Sequence, residues 1–316
     1  MRVFTKTCPE GHEIASFRKD VSVHGRDNKS DDVKVETGKH ITIEDDVMRR
    51  DLSINALFYD IKTNEVVDLV GGVDDIKNGV IRTVGNPFDR FNEDRLRIIR
   101  SIRFSATTGF EIHKDTHDAI LTDNRLFGVS DIDDVSKERI YAEFDKVVEK
   151  SISNNDSFIM IRFFEMMNYY GITYQLYPVN INPLFIKSSF SLSIIISQLL
   201  VNNDINEGFV KMLSSSKMNN SLLNDVVFLI NIFRHGICSH NVYDTYKRMT
   251  SKNIDIELVK EWVSVMDIDS KEFQTFFVYK PTTNGKDVMS DGFKGLSIGE
   301  EIKRREKLLF EEMLRN

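Results

Sequence analysis

The 316-residue sequence predicts an α+β protein, and three observations carry that prediction. The first ninety residues hold short apolar runs broken by turn signals such as Gly71-Gly72 and Asn78-Gly79, while longer stretches with apolar residues at helical spacing follow. Composition is that of an ordinary globular chain: 41% hydrophobic, 29% charged, with only five prolines and no low-complexity tract. The longest apolar stretch, Phe190 to Val201, is interrupted by serines and a glutamine and is far short of the ~20 residues a bilayer crossing needs.

The same composition excludes several classes of function. A net charge of −7 gives no global basic field, so any contact with nucleic acid must come from local patches. The N-terminus turns polar within a few residues and carries no secretory signal. Cys8 and Cys238 have neither CxxC nor Cys/His ligand spacing, which points to a reducing, cytoplasmic compartment and to no disulfide framework.

In chain order, residues 13 to 23 (Ile14, Phe17, Val21, Val23) predict a strand, followed by a polar loop through about residue 40. Val47 to Tyr59 predicts a helix with Arg49-Arg50 at its start and Asp51 and Asn55 four apart on one face. Glu65 to Val70 predicts a strand ending in Gly71-Gly72, and Ile76 to Val84 a hairpin turning at Asn78-Gly79. Residues 91 to 104 predict a helix with Asn92 as N-cap, Glu93 and Asp94 in the first turn, and a stripe of Leu96, Ile98, Ile99, Ile102 and Phe104. Thr108-Gly109 ends it. Further helices are predicted over 116–122, 136–150, 163–170, 190–201, 222–233 and 300–315, with breaks such as Asn202-Asn203 and Asn219-Asn220.

Within the 91–104 helix, Asp94 and Arg97 sit three apart and so share a face. A carboxylate only accepts hydrogen bonds and a guanidinium only donates them. The Watson–Crick edges of adenine and cytosine both present an amine donor beside a ring-nitrogen acceptor. Asp94 can accept from the amine while Arg97 donates to the ring nitrogen. Guanine and uracil present a carbonyl and a ring N–H in the reverse order, which sets like against like. Such a pair in a pocket would take A and C and refuse G and U. Set against this is an ordinary intrahelical ion pair, worth a few tenths of a kcal/mol.

The motifs around it decide between the two. Arg49-Arg50-Asp51-Leu-Ser-Ile-Asn55-Ala56-Leu57 resembles the RRDxxxNAL motif of class II tRNA nucleotidyltransferases (CCA-adding enzymes) and the related bacterial poly(A) polymerases. Asp68 to Asp75 is similar to that family's D..GG..D turn, and Ile81 to Pro87 to its IRTVGDP. Glu93-Asp94…Arg97…Arg100…Arg103-Phe104 resembles EDxxRxxRAxRF, Ser136 to Glu143 resembles the SxERIxxE neck motif, and Asn284 to Gly299 the NGxDLM…GxKGxxIG tail.

The resemblance implies roles. Arg49, Arg50, Asp51 and Asn55 correspond to residues that hold the nucleotide's phosphates and ribose, a fitting task for guanidiniums and a carboxylate. Asp94 and Arg97 correspond to the family's protein template. Arg100 falls near the triphosphate, and Arg103 and Arg139 near RNA. The partners implied are ATP, CTP and a tRNA or other RNA 3′ end, with no membrane. The fold implied is an incomplete nucleotidyltransferase-type mixed-sheet head over 1–90, lacking the DxD segment, then a helical neck over 91–150 and a helical body and tail over 151–316 that hold RNA by shape and backbone.

At the N-terminus the sequence departs from the family. Transfer of this kind uses carboxylates that hold two Mg²⁺ ions. Glu13, in His-Glu-Ile-Ala-Ser-Phe-Arg, matches the third of them, as catalytic residue and metal ligand, but residues 1 to 12 contain a single acid, Glu10, and no DxD. The expectation is a chain that starts inside its catalytic domain and turns over negligibly as written, so whether it is an enzyme is left uncertain. A late start codon, a split enzyme with a separate chain supplying the missing segment, and a decayed copy are the explanations. The function expected is CCA addition, with a poly(A) polymerase or a catalytically dead RNA-binding protein as alternatives. His117-Asp118 and the loose cluster His235, Cys238 and His240 lack the surrounding ligands of a metal site and are set aside.

Overall fold

The computed structural model describes residues 2–5, 8–13, 15–21, 34–126, 135–177, 187–203, 206–215 and 218–316, with the side chains of 2–13, 20–21 and 34–35 outside that description. The chain divides into two compact units. The first comprises residues 1–147 and 162–175, the second 148–161 and 176–316. The protein is α+β, and among the described residues no helix is long and apolar enough to cross a membrane.

The first unit begins with two antiparallel strand pairs, β1 (Arg2–Thr5) with β2 (Cys8–Glu13) and β3 (Arg18–Val21) with β4 (Lys34–Thr37). Helix α1 (Ile43–Met48) follows, then a single 3₁₀ turn (Ser53–Asn55) and a third antiparallel pair, β5 (Phe58–Asp60) with β6 (Glu65–Val67). Next come α2 (Gly72–Asn78), β7 (Val80–Ile81), α3 (Pro87–Glu93), α4 (Leu96–Thr108), β8 (Glu111–Ile112) and α5 (Lys114–Thr122). β7 and β8 pair in parallel, and described strands pair in twos instead of joining one mixed sheet. Parts of α6 (Lys137–Asn154) and α7 (Phe158–Tyr169), with α8 (Ile172–Leu176), complete the unit.

Four expectations are corrected. The strand expected over 13–23 is broken, since β2 ends at Glu13 and β3 starts at Arg18; the loop expected after it lies largely outside the described residues. The helix expected over 47–59 stops at Met48, because the chain there bridges to residues 82–84. The Ser53 amide donates to the Arg82 carbonyl at 2.9 Å and the Val84 amide to the Asp51 carbonyl at 3.1 Å, so long-range pairing overrides local helical periodicity. Asn78-Gly79 closes no hairpin. Gly79, at φ +65°, ends α2, where a left-handed residue lets the last amide reach back to Ile76 and Asp75.

The fourth correction touches the site. Asn92 is not an N-cap: it lies inside α3, which Asn86 caps through the Phe88 amide at 2.9 Å, with Pro87 in the first turn. Asp94 is extended (φ −154°, ψ 106°), and its carboxylate takes the Leu96 amide at 3.0 Å, a local bond that competes with helical continuation. The helix restarts at Leu96. Its inner face buries Leu96, Ile98, Ile99 and Ile102, and Gly109 ends it at φ +76°, as its sequence predicts.

The core beneath the 3₁₀ turn joins Val47, Ala56 and Val84, with Ile43, Phe58 and Val70 against it. Farther on, Phe144 meets Phe163 and Phe164 edge-on at 5.3 and 5.4 Å. Gly72 is required by closeness of approach: a Cβ there would stand 2.3 Å from the Ser53 carbonyl oxygen. Gly72→Ala is therefore expected to push α2 off the turn that carries Asn55, costing about 1–3 kcal/mol as overpacking does. A lowered urea midpoint checks this.

The second unit is helical: α9 (Leu192–Leu200), α10 (Glu207–Ser215), α11 (Asn220–His235), α12 (Val242–Ser251), α13 (Ile256–Val265), α14 (Lys271–Val278), α15 (Gly285–Ser290) and α16 (Leu296–Arg315). Ile194, Ile195 and Leu199 of α9 are buried with Val226, Leu229 and Ile230 of α11 and Trp262 of α13. Glu306 of α16 is wholly buried and fully satisfied. It accepts from the Tyr279 hydroxyl at 2.6 Å and from the Thr282 and Thr283 amides at 3.0 and 2.6 Å. Burial opposes its charge, but these donors outweigh it and hold the carboxyl below its usual range.

Candidate functional site

Of the predicted residues, Asp51, Asp94, Arg97, Arg100 and Arg139 are linked by hydrogen bonds around the joint between α3 and α4, with the Arg49 backbone bonded to Arg97. Asp46, 2% exposed, organises the entry: its two oxygens accept from Arg49 Nε at 2.8 Å and from Arg50 Nη2 at 2.8 Å, and one also takes the Arg18 amide at 3.1 Å. Burial pushes the Asp46 carboxyl up, and the two arginines bring it below its ordinary value. Arg50 also lies 5.3 Å over the Phe58 ring. Both arginines thus leave α1 with fixed stems.

Asp51 follows, buried. One of its oxygens caps the Leu52 amide at 2.9 Å and faces the Asn55 amide nitrogen at 3.4 Å. The other receives Arg100 of α4 through Nε and Nη2, both at 2.7 Å. Asp51 and Asn55 remain neighbours, although a tight turn and not a helix face brings them together. Burial disfavours the Arg100 charge, and Asp51, then Glu143, more than restore it. Glu143 of α6 is a hub of three cations. Arg103 reaches it at 2.5 Å, Lys146 at 2.6 Å and Arg100 at 3.5 Å. Burial raises its pKa, but Lys146, Arg103 and Arg100 leave it below the usual carboxylate range.

The Arg97 amide donates to the Asp94 carbonyl at 3.1 Å, but the two side chains are held by different partners and not by each other. The second oxygen of Asp94 takes Arg139 Nη2 of α6 at 2.7 Å. Arg97 donates to Glu93 at 2.6 Å, to the Arg90 carbonyl at 3.1 Å and to the Arg49 carbonyl at 3.3 Å. That last bond ties the template candidate to the RRD block. The Asp94 side chain is 26% exposed and keeps lone pairs on both oxygens; Arg97, 11% exposed, keeps N–H donors beyond these three. Arg139, expected near RNA, thus stands on Asp94. Arg103, expected likewise, is largely buried against Glu143 and lies 4.0 Å from the Phe104 ring centre.

Glu13 is the last residue of β2, and its side chain lies outside the described residues. Among the described residues no group of three or more His, Cys, Asp or Glu could hold a metal ion. The described donors therefore do not fit a Mg²⁺ pair, and no step below passes through one. Of the dipeptides set aside, His117 bonds the Tyr170 hydroxyl at 2.7 Å, whose pKa burial pushes up to about 12, and Asp118 pairs with Lys114.

Sequence reasoning missed two organising acids. Asp46 was detectable from its i,i+3 and i,i+4 spacing to Arg49 and Arg50. Glu143 ends the neck motif and has Lys146 three residues on, but nothing local marks it as a hub, because its arginine partners lie 40 and 43 residues away. A third network, Ser53 donating to Asp75 at 2.6 Å with Arg82 on the same carboxylate at 3.1 Å, supports the 3₁₀ turn from beneath and was also missed.

Residues 2–82 match the family described as the Poly A polymerase head domain. The chain is 40% identical over 138 residues to the CCA-adding enzyme of Ligilactobacillus salivarius, covering 44% of this chain and 31% of that enzyme, so the match spans about a third of the relative's length. With the CCA-adding enzyme of Oceanobacillus iheyensis it shares 27% identity over 338 residues, covering 97% of this chain and 80% of the relative. Its fold is similar to that of the Bacillus stearothermophilus CCA-adding enzyme solved in complex with CTP, with a TM-score of 0.65 at 19% identity over 96% of this chain and 75% of that one.

Proposed function

We propose that this chain belongs to the family of class II tRNA nucleotidyltransferases and bacterial poly(A) polymerases, and that it selects CTP and ATP for adding CMP and AMP to tRNA 3′ ends. The observation that carries the reading is the α3–α4 joint, where an acceptor-only side chain (Asp94) and a donor-only one (Arg97) stand two and three bonds deep in fixed partners, with the Arg97 guanidinium on the backbone of Arg49. Preorganised pairs of this kind read a base edge without rearranging. Beside them, Asp51 and Asn55 face the ribose hydroxyls, and Arg49, Arg50 and Arg100 meet the triphosphate oxygens. Arg139, which is 37% exposed on Asp94, borders the RNA 3′ end, while Arg103 steadies α4 from within through Glu143. The RNA is held by shape and backbone.

The test is direct binding of the four nucleoside triphosphates to the whole chain, followed by labelled incorporation into tRNA that ends before its CCA. The expected result is retention of CTP and ATP by about 10- to 100-fold over GTP and UTP. Equal retention of all four overturns the base-reading assignment. Preference for ATP alone moves the protein to the poly(A) polymerase branch, and tRNA binding with no nucleotide binding makes it an RNA-binding protein only.

A further inference from the structure

The second unit contains a cleft that the proposed chemistry does not use. Its walls are two helix faces, Phe228, Asn231, Ile232 and His235 of α11 and Asp244, Thr245 and Arg248 of α12, and its volume is about 270 Å³. The spacing on each wall is three or four residues, so regular helices bring these side chains to one opening. Phe228 and Ile232 are buried and form an apolar floor.

The polar lining is unbalanced toward donors. Among the described residues, the side chains of His235, Thr245 and Arg248 take no hydrogen-bond or ion-pair partner. An arginine offers five donors, a threonine one, and a histidine at least one. The acids and amides nearby are already engaged. Asp244 is neutralised by Lys303 of α16 at 2.8 Å. Asn241 accepts from the Cys238 amide at 2.9 Å and donates to the Gly236 carbonyl at 3.1 Å, and the Asn231 amide nitrogen donates to the Val227 carbonyl at 2.9 Å. His235 and Arg248 are exposed, so water answers them in the free protein, and an anion with several acceptor oxygens can take that water's place.

We propose that the α11–α12 cleft binds a phosphate group, with Arg248 as the charged donor and His235 and Thr245 as hydrogen-bond donors beside it. Arg248 and Thr245 are three apart on α12, so guanidinium and hydroxyl approach from the same wall while His235 closes from the other. The volume sits just below the low end of ordinary ligand pockets, about 300–1,000 Å³, and suits a phosphate with part of its sugar. Two sources share that chemistry: the phosphodiester backbone of an RNA, and inorganic phosphate or a small monoester. The RNA source rests on the tRNA partner proposed above; the free-phosphate source does not.

The experiment uses the full chain with Arg248→Gln and His235→Gln, and Lys247→Gln as a charge-matched control from the exposed residue beside the cleft. Tm measured for each variant sets folding aside. Inorganic phosphate is titrated in and followed by amide NMR shifts of residues 235–248, and tRNA binding is measured across a salt series. Expected are saturable phosphate shifts that Arg248→Gln abolishes and Lys247→Gln preserves, and a loss of roughly tenfold in tRNA affinity with the salt slope lowered by about one in Arg248→Gln. Saturable phosphate shifts with tRNA binding unchanged assign the cleft to a free phosphate compound and still support it. Absence of saturable shifts in the unaltered protein, together with equal tRNA binding by all variants, overturns the proposal. If the unaltered protein binds no tRNA, the RNA partner above fails while the phosphate titration still decides the cleft.

Discussion

Replacing Asp94 or Arg97 by alanine is expected to erase base discrimination while leaving triphosphate binding measurable. On the proposed reading the two carry opposite halves of the code. Without Asp94 nothing accepts from the amine of A or C, and without Arg97 nothing donates to the ring nitrogen. The pair contributes roughly 1–3 kcal/mol of discrimination and acts only as a pair, so either single variant should lose most of the about 10- to 100-fold preference for CTP and ATP over GTP and UTP. The measurement is the ratio of dissociation constants across the four nucleotides. A general weakening leaves that ratio intact; only the loss of the reading pair flattens it. Variants that keep the wild-type ratio would remove Asp94 and Arg97 from base recognition. The bond from Arg97 to the Arg49 carbonyl adds a finer expectation, since Arg97→Ala also frees the segment carrying Arg49 and Arg50, the arginines proposed to hold the phosphates, and should weaken all four nucleotides more than Asp94→Ala does.

Glu143→Ala is expected to destabilise the first unit most. The carboxylate is 2% exposed and answers Arg103, Lys146 and Arg100 together. Its removal leaves the Arg103 guanidinium, 11% exposed, without its acid, and breaking a buried pair by deleting one partner costs about 3–5 kcal/mol. Urea unfolding followed by far-UV circular dichroism checks it, and a midpoint within error of the unaltered protein would refute the hub. Glu143→Gln, which preserves shape, should lose less. The pH dependence has a definite sign. The folded-state pKa of Glu143 is depressed, with burial opposing the shift and the three cations outweighing it. The stabilisation is therefore present above the ordinary glutamate range and lost as pH falls through the folded value. Glu143→Gln should flatten that part of the acid-unfolding profile.

Much of the site was legible in residue order. The acceptor-only and donor-only characters of Asp94 and Arg97, the paired arginines at 49 and 50, and the helical stripe from Leu96 onward follow from side-chain chemistry and from period. The helix end at Gly109 was legible too, because a glycine after a periodic stretch supplies the left-handed cap. The boundary at Asp94 was misplaced. Its surroundings satisfy every local rule for a helix start at Asn92, and only the Leu96 amide bond and the Arg139 contact show why the chain breaks two residues later.

By itself, then, the sequence determined which chemical characters this protein owns and roughly where they fall on α+β elements, since both depend on composition and near-neighbour spacing. Tertiary structure alone decided which cation each acid holds: Arg139 on Asp94, Arg100 on Asp51, Arg103 on Glu143, pairs separated by 45, 49 and 40 residues. Many arginines and acids of the first 150 residues are interchangeable on paper. Which of them meet is set by the tertiary packing of the elements that carry them, and the energy of that packing, not charge order along the chain, selects the partners.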